Sequence, residues 1–243
     1  MKETIKSFDF RDWYTKMYFE ITKLDEIIEY LKDEQLMKSY LEAQKFICSE
    51  GNKEIETKSF SQLSPRSKSA YMSSLKDMLD DACESYIKNL VVYIFACFEE
   101  LLLESVFLLL LKKNELLKKV EQINCDFKLN SAFELKYLLT TTYSKEIVHI
   151  VCDKASKYIV TGEIEKSINR FEKLAGVKFN KEAIKYLKLF QKKRNQIVHE
   201  SKRIDLIHNF FQKFDDNLTS VFVTIKESFD KYDVAYDNPL EIS

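Results

Sequence analysis

Late in the chain, KKRNQIVHESKR (Lys192 to Arg203) sets one histidine and one Arg-Asn pair inside a run of base. Each type has a chemistry. His199 supplies an imidazole, a group that can take or give a proton. The guanidinium of Arg194 stays cationic and presents a fork of donors that fits phosphate oxygens. On a helix at about 100° per residue, Asn195 and His199 lie one turn and about 40° apart, so their side chains can touch. Arg194 lies about 140° from His199. One phosphate is then reached by both only if the long arginine bends round, or if two copies of the helix face each other across a two-fold axis.

The surround is strongly cationic. Between Lys178 and Arg203 there are nine basic and two acidic residues, a local balance of +7 in a chain whose net charge is -1. Such local asymmetry suits a polyanionic ligand, whereas the overall balance argues against indiscriminate coating of nucleic acid. Lys188, Lys192, Lys193, Lys202 and Arg203 are the expected phosphate-attracting residues.

These residues need a helix to position them, and the whole chain reads as helical. Among 243 residues there are 3 Gly and 2 Pro, against usual frequencies of about 7% and 5%, so hairpins and glycine-rich phosphate loops have little to build on. The fold class is all-α, a helical bundle with an N-terminal helical appendage, and 45% hydrophobic residues suffice for a core. Phe10, Trp13, Met17, Ile21, Leu24, Ile28 and Leu31 step by three or four along one or two amphipathic helices. Ser49 to Ser67, with a glycine, a proline and several serines, reads as a linker, giving an appendage over 1–60 and a bundle over 61–243. Helices follow from about Pro65 to Ser85, to about Lys113, from Ser131, from Ser144 to Thr161 and from Glu163 to Ala175. Gly176 should stop the last of these in a left-handed cap. Asn180 caps the site helix, Lys181 to about Lys202, whose Ile184, Leu187, Leu189, Phe190, Ile197 and Val198 should face the bundle. A final helix runs from about Asp205 to Tyr232.

The segment IKNLVVYIFACFEELLLESVFLLLLKK carries Glu99, Glu100 and Glu104 near its middle. Each carboxylate would cost roughly 2.5 to 3.5 kcal/mol in a bilayer, so a buried central helix is expected and no membrane span. An otherwise apolar helix must aim these acids at water, a cation or a site. MKETIKSFDFRDW lacks the apolar core of a secretory signal, and five cysteines without a Cys-x-x-Cys pair suggest neither a disulfide framework nor a zinc knuckle. His149 and Cys152 can share a helix face but lack further ligands, so no metal and no cofactor is expected. The expected compartment is the cytoplasm.

Arg194-Asn195-Gln196-Ile197-Val198-His199 resembles the motif of the HEPN domains (higher eukaryotes and prokaryotes nucleotide-binding): an arginine, commonly followed by a polar residue, then a histidine after four to six residues. A second match, Arg203 to His208, lacks the asparagine and straddles a helix break. The resemblance covers about Ser69 to Tyr232. It implies a metal-independent endoribonuclease acting as a homodimer with a composite site, of the kind found in toxins and antiphage defence. Arg194, Asn195 and His199 would be catalytic, with Glu99, Glu100 or Glu104 as an auxiliary acid from an earlier helix. RNA would be the substrate, tRNA among the candidates. An inhibitory or activating protein partner is expected on the Phe10 to Leu31 face. The resemblance also implies an alternative, a non-catalytic RNA-binding or assembly module; apart from the resemblance, a helical protein-interaction scaffold whose N-terminal face binds a partner is the second alternative.

Overall fold

The computed structural model describes residues 7–48, 56–123, 144–200, 211 and 213–237. The fold is all-α, with eight α-helices and a few very short strands among the described residues. In chain order these are β1 (Phe8–Asp9), α1 (Phe10–Lys32), α2 (Glu34–Glu42), β2 (Phe46–Cys48), β3 (Glu56–Lys58), α3 (Pro65–Lys112), α4 (Leu116–Ile123), α5 (Ser144–Val160), α6 (Ile164–Ala175), α7 (Lys181–Glu200), α8 (Phe214–Tyr232) and β4 (Tyr236–Asp237). No helix among the described residues is long and apolar enough to cross a membrane. The helix expected from Ser131 lies outside the described residues.

The chain divides into two compact units. One holds Phe19–Leu90, and the other holds the described residues up to Tyr18 together with those from Val91 onward. The boundary falls inside α1 and α3. The expected parts, 1–60 and 61–243, are a division by composition.

In the first unit, Asp33 separates α1 from α2 by accepting the amides of Gln35 and Leu36, an N-cap that explains why the N-terminal pattern makes two helices. The stretch read as a linker has structured flanks. β2 and β3 pair antiparallel with Ile47 opposite Thr57, and Ser59 and Gln62 form a capping box over a turn of 3-10 helix. Phe60, within that turn, and Leu63, just beyond it, join Met37, Leu41, Phe46 and Leu75 in a small core. Ser64 Oγ accepts the Ser67 amide at the start of α3, and the buried Phe60 and Leu63 outweigh the loop-like composition around them. The two helices expected between Pro65 and Lys113 are one, α3, because no glycine or proline interrupts that stretch.

The second unit holds the site. α6 packs on α4, α5 and α7, and α7 packs on α8. The C-terminal part of α3 meets α7 where Phe95 stacks on Phe190, and meets α5 where Phe107 touches His149. Phe95 and Phe190 are each 1% exposed, and burying such a ring contributes roughly 1.5 to 3 kcal/mol. His149 is exposed, a surface residue of α5 whose ring meets the edge of Phe107. Local rules fix the turns around α7. Gly176 takes φ 68°, the left-handed cap expected of it, and Lys231 on α8 donates to the carbonyls of Ala175 and Gly176, both at 3.0 Å. Asn180 accepts the Glu182 amide at 2.8 Å and starts α7 as expected. Between them the buried carboxylate of Glu172 accepts from the Phe179 amide and from Lys178. Leu189 and Val198 depart from the expected inward face and are exposed, whereas Leu187 and Phe190 are buried.

The first part of the Phe10 to Leu31 face expected to take a partner is covered, whereas Ile28 and Leu31 are half-buried. Phe10, Trp13, Met17, Ile21 and Leu24 are buried. Phe10 packs edge-on against Phe222 of α8, Phe8 does the same against Phe229, and β1 pairs with β4, Phe8 opposite Tyr236.

Candidate active site

α7 runs without interruption to Glu200, so one helical wheel places all three motif residues. Lys188, Lys192, Asn195 and His199 fall on one stripe about 60° wide, and Arg194 lies about 100° away from Asn195, one turn after the buried Phe190. The two directions have different surroundings. Arg194 turns toward α3, where the half-buried Glu99 stands one turn after Phe95. Burial holds the Glu99 carboxyl above the usual carboxylate range, and the nearby Arg194 guanidinium pulls it part of the way back. The stripe with Lys192, Asn195 and His199 opens to solvent.

Asn195 joins the two. Its Oδ1 accepts from Arg194 Nη1 at 3.0 Å, so the asparagine orients the arginine. The sequence spacing pointed it at His199. Neighbours on a helix diverge by about 100°, but arginine is long enough to fold back across that gap. His199 is exposed and makes no hydrogen bond or ion pair among the described residues. Arg194 and Asn195 are thus bonded to each other, Glu99 lies within electrostatic reach of Arg194, and His199 is one turn past Asn195 on the same helix.

The three acids of α3 have separate surroundings. Glu99 belongs to the site. Glu104 accepts from the indole of the buried Trp13, Nε1 to Oε2 at 2.7 Å, which ties α3 to α1. Glu100 is exposed; burial pushes up the Cys97 thiol, and the Glu100 charge adds to that. Of the three acids expected as candidates, Glu99 is the one whose carboxyl feels Arg194.

The basic surround is thinner than its count. Lys178 pairs with Glu172 at 2.7 Å, Lys185 with Glu182 at 4.0 Å, and Lys188 with Glu165 at 2.6 Å. Lys188, one of the residues expected to draw phosphate, thus has a half-exposed carboxylate beside it. Lys192 and Lys193 make no ion pair among the described residues, so with Arg194 they carry the cationic character here. Lys202, Arg203 and His208 lie outside the described residues.

Beside Asn195 the first turn of α6 and the middle of α7 enclose a groove of about 330 Å³. Gln191, in its wall, accepts the Ile164 amide at 3.0 Å and so caps α6 from a neighbouring helix. Sequence reading missed this residue, because a cap contributed from 27 positions away leaves no local pattern. Among the described residues no group of three or more His, Cys, Asp or Glu is placed to hold a metal ion. No family model, no curated protein and no solved structure matches the chain.

Proposed function

We propose that this chain is an endoribonuclease of the HEPN type that cuts RNA through its own 2′-hydroxyl. The observation that supports it best is the placement of Arg194, held by Asn195 and facing the half-buried Glu99, with His199 one turn beyond on the same helix. RNA carries its nucleophile, so the protein has three tasks: to remove the 2′ proton, to stabilise charge on the phosphorane and to protonate the departing 5′ oxygen. Arg194 serves the second as a fixed cation at the phosphate. His199 serves proton transfer. Glu99 acts on Arg194 as a positioning residue, and Lys192 and Lys193 draw the backbone in. The products are a 2′,3′-cyclic phosphate and a 5′-hydroxyl end, and the chemistry needs no metal.

Arg194 and His199 diverge by about 140°, which favours a homodimer in which two α7 helices pool their residues at one phosphate. Restraint of such an enzyme in a cell, as a toxin or antiphage effector, calls for a protein partner. The covered Phe10 to Leu24 face is a poor place for it.

Incubating the purified protein with total RNA in EDTA, beside Arg194→Ala and His199→Ala, tests the reading. Cleavage by the parent and its loss in both variants are expected. Intact RNA with the parent, or unchanged cutting by both variants, would sink it. Loss of cutting in EDTA alone would overturn the metal-free mechanism, and a solution mass of one chain would overturn the dimer. A non-cleaving RNA-binding module is the second reading, favoured by the Arg194 to Asn195 bond, which would hold Arg194 as a phosphate grip whether or not His199 takes part. RNA retained on a filter but never cut would select it.

A further inference from the structure

The groove between α6 and α7 has a chemical polarity that the ribonuclease reading leaves unused. Its volume of about 330 Å³ is at the small end for ligand pockets, roughly 300 to 1,000 Å³, and suits one nucleotide better than a longer segment. On the α7 side two amides have their orientation fixed by their partners. Gln191 Oε1 is committed to the Ile164 N–H, and Asn195 Oδ1 to Arg194 Nη1, both at 3.0 Å. An amide whose oxygen is occupied by a donor has its –NH₂ left to give. Lys192 adds an ammonium on the same wall. The α6 side contributes the carboxylates of Glu163 and Glu165. Glu165 is paired with Lys188 at 2.6 Å, yet a carboxylate has about four acceptor positions and keeps some open.

Donors on one wall and acceptors on the other select among bases. Guanine presents two neighbouring acceptors, O6 and N7, and carries N1–H and N2–H₂ donors on the adjoining edge. Adenine puts a donor where guanine has O6. Cytosine has an acceptor pair in N3 and O2 but only one donor group, N4–H₂, and uracil has a single N3–H between its two carbonyls, so neither matches two acceptors beside two donor groups.

We propose that this groove holds a guanosine residue of RNA, with the α7 amides on O6 and N7 and an α6 carboxylate on N1–H and N2–H₂. The proposal rests on the ribonuclease reading for its place in a reaction. His199 lies on the same stripe of α7 as Asn195, one turn on, so a guanosine seated here adjoins the phosphate that is cut.

The test is calorimetric titration of the full chain with GMP, AMP, CMP and UMP, and with an adenosine pentamer carrying one central guanosine and 2′-O-methyl sugars that prevent cleavage. GMP should bind roughly tenfold tighter than AMP, and the pentamer tighter than GMP. Gln191→Glu keeps an oxygen to cap Ile164 while replacing the –NH₂ by an acceptor. It should lose roughly tenfold in GMP affinity at unchanged melting temperature. Glu165→Gln should narrow the gap between GMP and AMP. Equal binding of the four nucleotides, no saturation at millimolar concentration, or a Gln191→Glu variant that binds GMP as the parent does would overturn the proposal. A pentamer weaker than GMP would overturn the RNA assignment. The two readings fail separately: cutting of RNA without guanine preference refutes the groove alone, and guanine-selective binding without cutting refutes the nuclease alone.

Discussion

Glu99 and Glu104 stand on one helix within two turns of each other, and their surroundings require opposite responses to substitution. Glu104→Ala removes the acceptor of the Trp13 indole, a 2.7 Å bond to a charged group, and leaves a buried N–H unsatisfied. A hydrogen bond to a charged partner contributes about 1.5 to 3 kcal/mol. For a chain of this size each kcal/mol moves the melting temperature by about 2 to 4 °C, so a fall of about 3 to 12 °C is expected. Cleavage measured well below the melting point should be unaffected. Glu99→Gln should do the reverse. Its folded pKa is raised, so the proton is bound more tightly in the fold than in the unfolded chain. The stability this contributes is complete below the unfolded pKa and is lost as pH rises through the folded one. A glutamine cannot ionise, so the variant should melt at or above the parent at neutral pH and lose that part of the pH slope. Cleavage should fall roughly 10²-fold, as it does when a reacting group is slightly misplaced. Thermal melts by circular dichroism from pH 4 to 8, paired with cleavage of one labelled RNA, measure both. Full activity in Glu99→Gln, or inactive but folded Glu104→Ala, would refute the assignment of the two acids.

Replacing Lys192 or Lys193 by alanine should weaken RNA binding about equally for all sequences and flatten the slope of log affinity against log salt by about 0.7 for each phosphate no longer neutralised; an unchanged slope would remove them from the interface. Gly176→Ala forces a side chain into φ 68°, at about 1 to 2 kcal/mol, and its Cβ would meet the Lys231 ammonium that caps α6, so the melting temperature should drop. The fully buried Cys152 thiol, pushed up to about 12, should resist iodoacetamide at pH 8 in the native protein and react once it is unfolded, as read by mass spectrometry.

What could be read in advance follows from how far each interaction reaches along the chain. Gly176 and Asn180 obey stereochemistry and capping rules that act over four residues, and both ends they mark were legible. The N-terminal face was legible as a stripe, but not its covering, since Phe222 and Phe229 are supplied from the far end of the chain. For Glu99, Glu100 and Glu104 periodicity had no power. The C-terminal part of α3 is apolar on most sides, so a wheel gives no outward direction, and only Arg194 and Trp13 distinguish the acids. Asn195 paired with its immediate neighbour because rotamer reach overrode the one-turn spacing that favoured His199.

The closure of the N-terminal segment has a consequence for how the chain comes into being. Tyr14 bonds Asp215 across 201 positions, and Phe8 and Phe10 find their ring partners in α8. A chain emerging from the ribosome therefore carries its first aromatic residues unburied until α8 is made, and Glu99 waits nearly as long for Arg194. Synthesis is almost complete before the core can close, which delays the appearance of the folded site until nearly the whole chain has been made.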